Sequence, residues 1–311
     1  FAKLPPPSQE RLDASLSEQS LDIERFGIEE ARAAEEKGKT ILYLAYGSNL
    51  CNETFRDKRG IRPISQINVQ VPDLRLTFDL SGIPYVEPCF ANSAVRDPEE
   101  DDGKDGKDKY HKDRWHKGMI GVVYEVTPSD YAHIIATEGG GSSYKDILVA
   151  CHPLPDGETV PESPSTPSFK AHTLFAPTPK PDPKACQLNT SGRFSRPDPS
   201  YAQPSARYLK LITDGATELS LPAEYQTYLH NIRPYTITTM KQRMGQAVLI
   251  AIFMPFLFMI FALQQQFQDD KGRTPKWLAS LMGALLLGLW TSYDNVLVKM
   301  FGDGERTEGQ D

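Results

Sequence analysis

Residues 40–55, TILYLAYGSNLCNETF, carry an apolar stretch straight into a turn. The run ILYLAY at 41–46 has the length and continuous hydrophobicity of a buried strand. Gly47, Ser48 and Asn49 stop it, and residues 50–55 can open a helix. Glycine lets the chain turn after a strand, and successive backbone N–H groups at such a turn can form an anion-binding concavity. Asn49 is a candidate cap for the helix that follows. A plain strand-to-helix corner explains the same residues, so a corner and a grip on a ligand both stand.

Outward from this junction, strand-like runs recur at 75–80, 91–96, 118–126 and 144–152, with a shorter one at 172–176. Residues 97–118, DPEEDDGKDGKDKYHKDRWHKG, mix charge and glycine too densely to bury a core and read as a solvated insertion. Thr127, Pro128 and Asp130 supply an N-cap, a first-turn proline and an early acid, which predicts a helix over 128–138 stopped by Gly139, Gly140 and Gly141. Residues 153–204 hold twelve prolines, which predicts loop over much of that length. Two helices separated by Gly215 and Pro222 are expected within 204–232. Residues 1–39 read as an appended arm, with Ile23, Phe26 and Glu30 at weak helical spacing and an end near Gly38.

The C-terminal region differs in kind. Residues 245–263, GQAVLIAIFMPFLFMIFAL, are nineteen without a charge. At ~1.5 Å rise per residue they reach about 28 Å, close to the hydrocarbon thickness of a bilayer. Nearly every face is apolar, and Pro255 is tolerated in a membrane span, so a transmembrane helix is expected. A second run at 277–293 places Trp277, Trp290 and Tyr293 where the interfaces of a short span would lie. It is either a second span or an interfacial helix, and a polar tail follows at 299–311. Lys241 and Arg243 flank one end and Lys271, Arg273 and Lys276 the other, so charge counting does not orient the segment.

The 311 residues suffice for one large or two small domains, and 39% hydrophobic content suits a globular core. A net charge of −7 gives no electrostatic reason to expect nucleic acid as a partner. Cys51, Cys89, Cys151 and Cys186 show no metal spacing, and His111, His116, His133, His152, His172 and His230 are scattered, so no metal is expected. No secretory signal opens the sequence, which favours a reducing compartment. Neither a phosphate-binding Gly-Lys-Ser/Thr pattern nor a Gly-x-Ser-x-Gly elbow occurs. The sharpest chemical signal is Glu138. It lies seven residues after Tyr131, on the face that Tyr131, Ile134 and Ile135 make apolar. Burial and the negative end of the helix dipole both disfavour its charged form, which suits a group that takes up and returns a proton. A carboxylate merely bordering solvent at a fraying helix end fits the same pattern.

Three ordered segments resemble the γ-glutamylcyclotransferase family: YGSNL at 46–50, GVVYEVTPSDYAHIIATEGG at 121–140, and ARYLKLITDGATELSLPAEYQTYL at 206–229. VPDLRLTFDLSG at 71–82 is similar to the family's second strand. The resemblance covers residues 40–232, with insertions at 97–117 and about 155–204, and leaves out the arm and the membrane segments. It implies an α+β fold over 40–240: a small mixed β-barrel of that family's type with peripheral helices, followed here by a C-terminal transmembrane helix or hairpin.

The family converts a γ-glutamyl amine, such as glutathione or a γ-glutamyl amino acid, into 5-oxoproline and a free amine by a lyase-like intramolecular cyclisation without cofactor. By resemblance, Tyr46, Gly47, Ser48, Asn49 and Leu50 form the loop that grips the γ-glutamyl group, and Glu138 is the catalytic acid/base. Tyr208 matches a tyrosine lining the site, and Tyr144 is a looser match because the spacing after Glu138 differs. The resemblance implies a small γ-glutamyl substrate as partner; the apolar C-terminal runs imply a membrane, with the catalytic domain expected to face the cytosol. A non-catalytic membrane-tethered module of the same fold, or a cyclotransferase for another γ-linked amine, are the alternatives.

Overall fold

The structure is a computed structural model that describes residues 3–23, 25–97, 115–137, 144–155, 157–176, 187–188, 194–196, 198, 200–267 and 275–309. Glu138, the glycines at 139–141 and most of the charged insertion lie outside the described residues. Five strands close a mixed barrel in the order β1 (Ile41–Ala45), β5 (Met119–Val126), β2 (Ser65–Val71), β6 (Lys145–Pro153) and β7 (Phe169–Phe175). The closure from β7 to β1 is parallel, with Tyr43 opposite His172, and every other pairing is antiparallel. All of β1 is buried, which is why the sequence there shows no alternation.

Strand β2 was not anticipated, although residues 65–71 (SQINVQV) carry an alternating signal weakened by short polar side chains. Strand β7 is longer than the 172–176 run suggests and closes the barrel, because burial by its neighbours outweighs the surrounding prolines. A two-stranded ribbon of β3 (Leu74–Ile83) and β4 (Glu87–Val95) stands outside the barrel. β8 (Gln187–Leu188) and β9 (Phe194–Ser195) form a short pair.

Helix α3 (Pro128–Thr137) starts as its cap predicts, with the Asp130 N–H donating to Thr127 Oγ1 at 3.0 Å. Helices α4 (Ala206–Glu218) and α5 (Ala223–Asn231) follow, and Ser205 caps α4 by accepting from the Tyr208 N–H. Gly215, expected to separate the two helices, lies inside α4, where it packs against the Leu50 backbone, and of the two expected breaks Pro222 alone stands between them. Tyr208, Leu209, Ile212 and Ala216 form the buried face of α4, at the spacing of one helical stripe.

The N-terminal arm holds α1 (Gln9–Ser15) and α2 (Ile28–Glu35), and it is bonded to the barrel along its length. Pro5 O accepts from the Gln66 N–H of β2, and Ser15 Oγ accepts from the Lys170 N–H of β7. Arg11 reaches both Thr40 Oγ1 and Thr40 O at 2.8 Å.

Helix α6 (Met240–Phe267) and helix α7 (Lys276–Ser292) pair as an antiparallel hairpin, since Leu249 meets Leu289 and Trp290 at one end while Phe267 faces Trp277 at the other. Helix α6, and the helical run Trp277–Phe301 that continues α7, are long and apolar enough to cross a membrane, and only 17% of the most apolar window of α6 is buried. A core helix of a soluble protein would be covered; this one presents Ile252, Phe256, Phe258 and Met259 outward. The base of the hairpin has its own small core of Tyr85, Leu249, Leu289, Trp290, Tyr293 and Leu297. Beside it, Arg196 lies over the Trp290 ring and bonds Asp294 and Glu305 at 2.6 Å each.

Candidate functional site

The turn that ends β1 opens a small cleft. Gly47 leads into a single 3₁₀ turn, Ser48–Leu50, closed by the Leu50 N–H donating to Gly47 O at 3.0 Å. Tyr46, Gly47, Ser48 and Asn49 line one side of the cleft. Tyr144 comes from the start of β6 and Tyr208 from the first turn of α4, so six residues singled out in the sequence meet in one place. Leu50 turns the other way, fully buried in the core beneath the loop. Tyr43, Ala91, Thr173 and Leu174 complete the lining. These four carried no sequence signal of their own. Tyr43 lies in a strand buried throughout, and the other three arrive from strands far along the chain.

Hydrogen bonds fix the polar groups of the cleft. Asn49 Nδ2 donates to the Tyr43 hydroxyl at 2.9 Å, which holds the turn against its own strand. The Tyr46 hydroxyl donates to Ser93 Oγ at 3.3 Å, and the Ala91 N–H donates to the Tyr208 hydroxyl at 3.2 Å. The ribbon strand β4 therefore touches both aromatic walls. Helix α4 lies against the loop with no side chain between them: a methyl built on Gly215 would stand 2.4 Å from the Leu50 carbonyl carbon. Gly215 lets the helix that carries Tyr208 approach the backbone of the turn at residues 47–50.

Behind the cleft sits a buried charge cluster that the scattered histidines did not foretell. Asp146 accepts from the Tyr131 hydroxyl at 2.5 Å, the Leu21 N–H at 2.6 Å and His172 Nδ1 at 2.9 Å. His172 Nε2 lies 3.3 Å from Glu18 of the arm. Burial would lower the imidazolium's pKa, but hydrogen bonds to Asp146 and Glu18 outweigh it and raise the value to about 9. Burial, then the Asp146 charge, push the Tyr131 phenol well above its usual range, so it donates as a neutral hydroxyl. Tyr131 packs 5.8 Å from the Tyr43 ring, linking this cluster to the cleft wall and to α3.

None of the described lining side chains is charged, and among the described residues no cluster of His, Cys, Asp and Glu is placed to hold a metal ion. The cleft offers hydroxyls, an amide, backbone N–H groups and aromatic walls, which suit a small polar ligand held by hydrogen bonds.

Comparison with known proteins gives a consistent picture. The chain is 30% identical over 268 residues to the γ-glutamyl cyclotransferase gliK of Aspergillus fumigatus, covering 85% of this chain and 89% of that protein. It is 27% identical over 277 residues to the γ-glutamyl cyclotransferase aclK of Aspergillus oryzae, covering 87% and 92% respectively. A family profile described as the AclK C-terminal domain matches residues 239–299, which hold the apolar hairpin. Among solved structures, one described as a γ-glutamyl cyclotransferase aligns with a TM-score of 0.43 and 21% identity, over 65% of this chain and 92% of its own.

Proposed function

The chain belongs to the γ-glutamyl cyclotransferase family, and from that premise we propose that it converts a γ-glutamyl amine into 5-oxoproline and a free amine in the cleft at residues 46–49. The observation that carries this reading is the convergence of the 46–49 turn, Tyr144 and Tyr208 on one cavity. The backbone N–H groups of Gly47 and Ser48 lie ahead of the turn's first internal bond, where a carboxylate or a developing oxyanion is the natural acceptor. The Tyr208 hydroxyl, held by the Ala91 N–H, borders the same space.

The reaction needs a proton carrier. The substrate's α-ammonium is not nucleophilic until it loses a proton, and no described lining side chain can accept one at neutral pH. Helix α3 ends at Thr137, one residue before Glu138, and is clamped through Tyr131 to Asp146. Glu138 is the residue we assign to that task. It takes a proton from the α-ammonium, the freed amine attacks the γ-carbonyl carbon, and a five-membered lactam closes as the γ-amide C–N bond breaks and the attacking nitrogen gives up its second proton to solvent. Protonated Glu138 then delivers the proton to the departing amine. Holding the flexible glutamyl chain bent supplies part of the acceleration, since effective molarities are worth ~7–11 kcal/mol in favourable cases.

The hairpin of α6 and α7 completes the reading: the enzyme is held at a membrane by its C-terminal apolar helices, with the catalytic domain in the cytosol. The decisive assay supplies glutathione, γ-glutamyl-alanine and γ-glutamyl amines to the full chain and measures 5-oxoproline. Release from at least one, reduced at least about 100-fold by Glu138→Gln, is expected from the loss of a general acid/base. No release from any of them overturns the enzyme reading, and equal release by Glu138→Gln removes Glu138 from proton transfer.

A further inference from the structure

The base of the C-terminal hairpin and the wall of the cleft share one structural element, the β3–β4 ribbon. At its tip Tyr85 has a φ of +60°, a conformation that a bulky L-residue rarely adopts. It is held there from every side. The Tyr85 N–H donates to Gly304 O at 2.7 Å, its hydroxyl donates to Gly302 O at 2.8 Å, and its carbonyl accepts from Gln246 of α6 at 2.7 Å. Its ring meets Tyr293 edge-on at 5.6 Å, and a methyl on Gly304 would stand 2.9 Å from both rings. The ribbon tip is thus seated between the hairpin and the tail that follows it.

From this seat two connections run to Tyr208. Along β4, Glu87 bonds Ser205 and Arg207 at the start of α4, Cys89 Sγ donates to Ala202 O, and Ala91 donates to the Tyr208 hydroxyl. Along the tail, Glu305 O accepts from the Gln203 N–H at 2.8 Å, and Gln203 Oε1 accepts from the Thr307 N–H at 2.9 Å. Gln203 lies two residues before Ser205, whose hydroxyl caps α4 at the Tyr208 N–H. Residues that come after the membrane hairpin therefore pin the segment that aims a cleft residue.

We propose that the C-terminal hairpin and its tail are a positioning device for the substrate site, acting through Tyr85 and Gln203 on Tyr208, rather than an anchor joined to an independent catalytic domain. The proposal rests on the cyclotransferase reading for its kinetic consequence and on geometry alone for the mechanical one. Tyr85 and Gln203 touch no part of the cleft; they are positioning residues.

The test uses the full chain in phosphatidylcholine nanodiscs, with glutathione and γ-glutamyl-alanine as substrates. Tyr85→Ala is expected to raise KM at least fivefold with kcat within twofold. A merely structural role lowers the folded fraction and with it the apparent kcat, leaving KM unchanged. In a Tyr208→Phe background the effect of Tyr85→Ala on KM should shrink below twofold, because linked residues are not additive. The milder Gln203→Ala, which removes only the acceptor of the Thr307 N–H, serves if Tyr85→Ala does not fold. In parallel, hydrogen exchange should show residues 203–210 losing protection in either variant while β1 and β5 keep theirs. Unchanged KM and unchanged exchange, or a full KM effect persisting with Tyr208→Phe, overturn the proposal. A wild-type chain that turns over neither substrate, yet shows the exchange coupling, defeats the cyclotransferase reading for these substrates and leaves the coupling standing.

Discussion

Gly47 stands where β1 gives way to the turn that lines the cleft, and a methyl built on it would lie 3.5 Å from both the Tyr208 hydroxyl and the Ala91 Cβ. The protein has room for that methyl, but the room is the cleft itself. Gly47→Ala is therefore expected to leave the thermal midpoint within about 2 °C while raising KM about tenfold, a split that steady-state kinetics on the full chain would reveal. His172 sets a second expectation. Its folded pKa of about 9 exceeds the unfolded value of 6.5, so the stability it contributes is fully present below pH 6.5 and is lost as pH rises through about 9. The shift corresponds to roughly 3 kcal/mol as an order of magnitude. The thermal midpoint of the full chain in detergent should fall between pH 6.5 and pH 9.5, and His172→Gln should flatten that fall. At this scale family resemblance singled out Tyr46, Gly47, Ser48, Asn49 and Tyr208, and all five line one cleft. The sequence hid Asp146 and His172, because two residues 26 apart on neighbouring strands become partners only when the barrel closes.

Among the elements, α4 supplies Tyr208 to the cleft, and Gly215 is where it bears on the turn at residues 47–50. A Cβ there would sit 2.4 Å from the Leu50 carbonyl carbon and 2.6 Å from the Cys51 nitrogen, and backbone cannot yield as a flexible side-chain end can. Gly215→Ala should lower stability by about 1–3 kcal/mol, the usual cost of overpacking, and should raise KM by lifting Tyr208 away from the turn. Calorimetry with kinetics would check both; an unchanged midpoint would show that the helix has slack. Helix α3 was legible because capping is local, through Thr127, whereas α4 runs on through Gly215, a residue that in sequence reads as a break and in the fold is a close contact with the Leu50 backbone. Strand β2 was not legible, since a strand is defined by partners, and Ser65 to Val71 pair with residues more than forty positions away.

For the whole molecule, the arm, barrel, ribbon and hairpin form one connected body. Among the described residues the outward faces of the hairpin are half exposed, with Ile252 and Phe256 each 51% exposed and Met259 49%. Carbonate extraction should leave the full chain in the membrane pellet, and replacing these three residues with lysine should shift it to the supernatant. Because they face away from the domain, that variant should keep its hydrogen-exchange pattern in β1 and β5. A wild-type chain found in the supernatant would count against the membrane reading. The sequence by itself determined what depends on short spans: the buried first strand, the Gly47 turn, the caps of α3, and an apolar C-terminus long enough to cross a bilayer. Only the tertiary structure decided that Tyr43, Ala91, Thr173 and Leu174 complete the cleft, that the arm lends Glu18 and Leu21 to a buried charge cluster, and that the tail after the hairpin braces the start of α4. Hydrophobic period and capping act within a few residues and are written in the local sequence. Partnerships across a closed barrel, and across a hairpin that returns the chain to its starting face, arise only from the path the backbone takes through space.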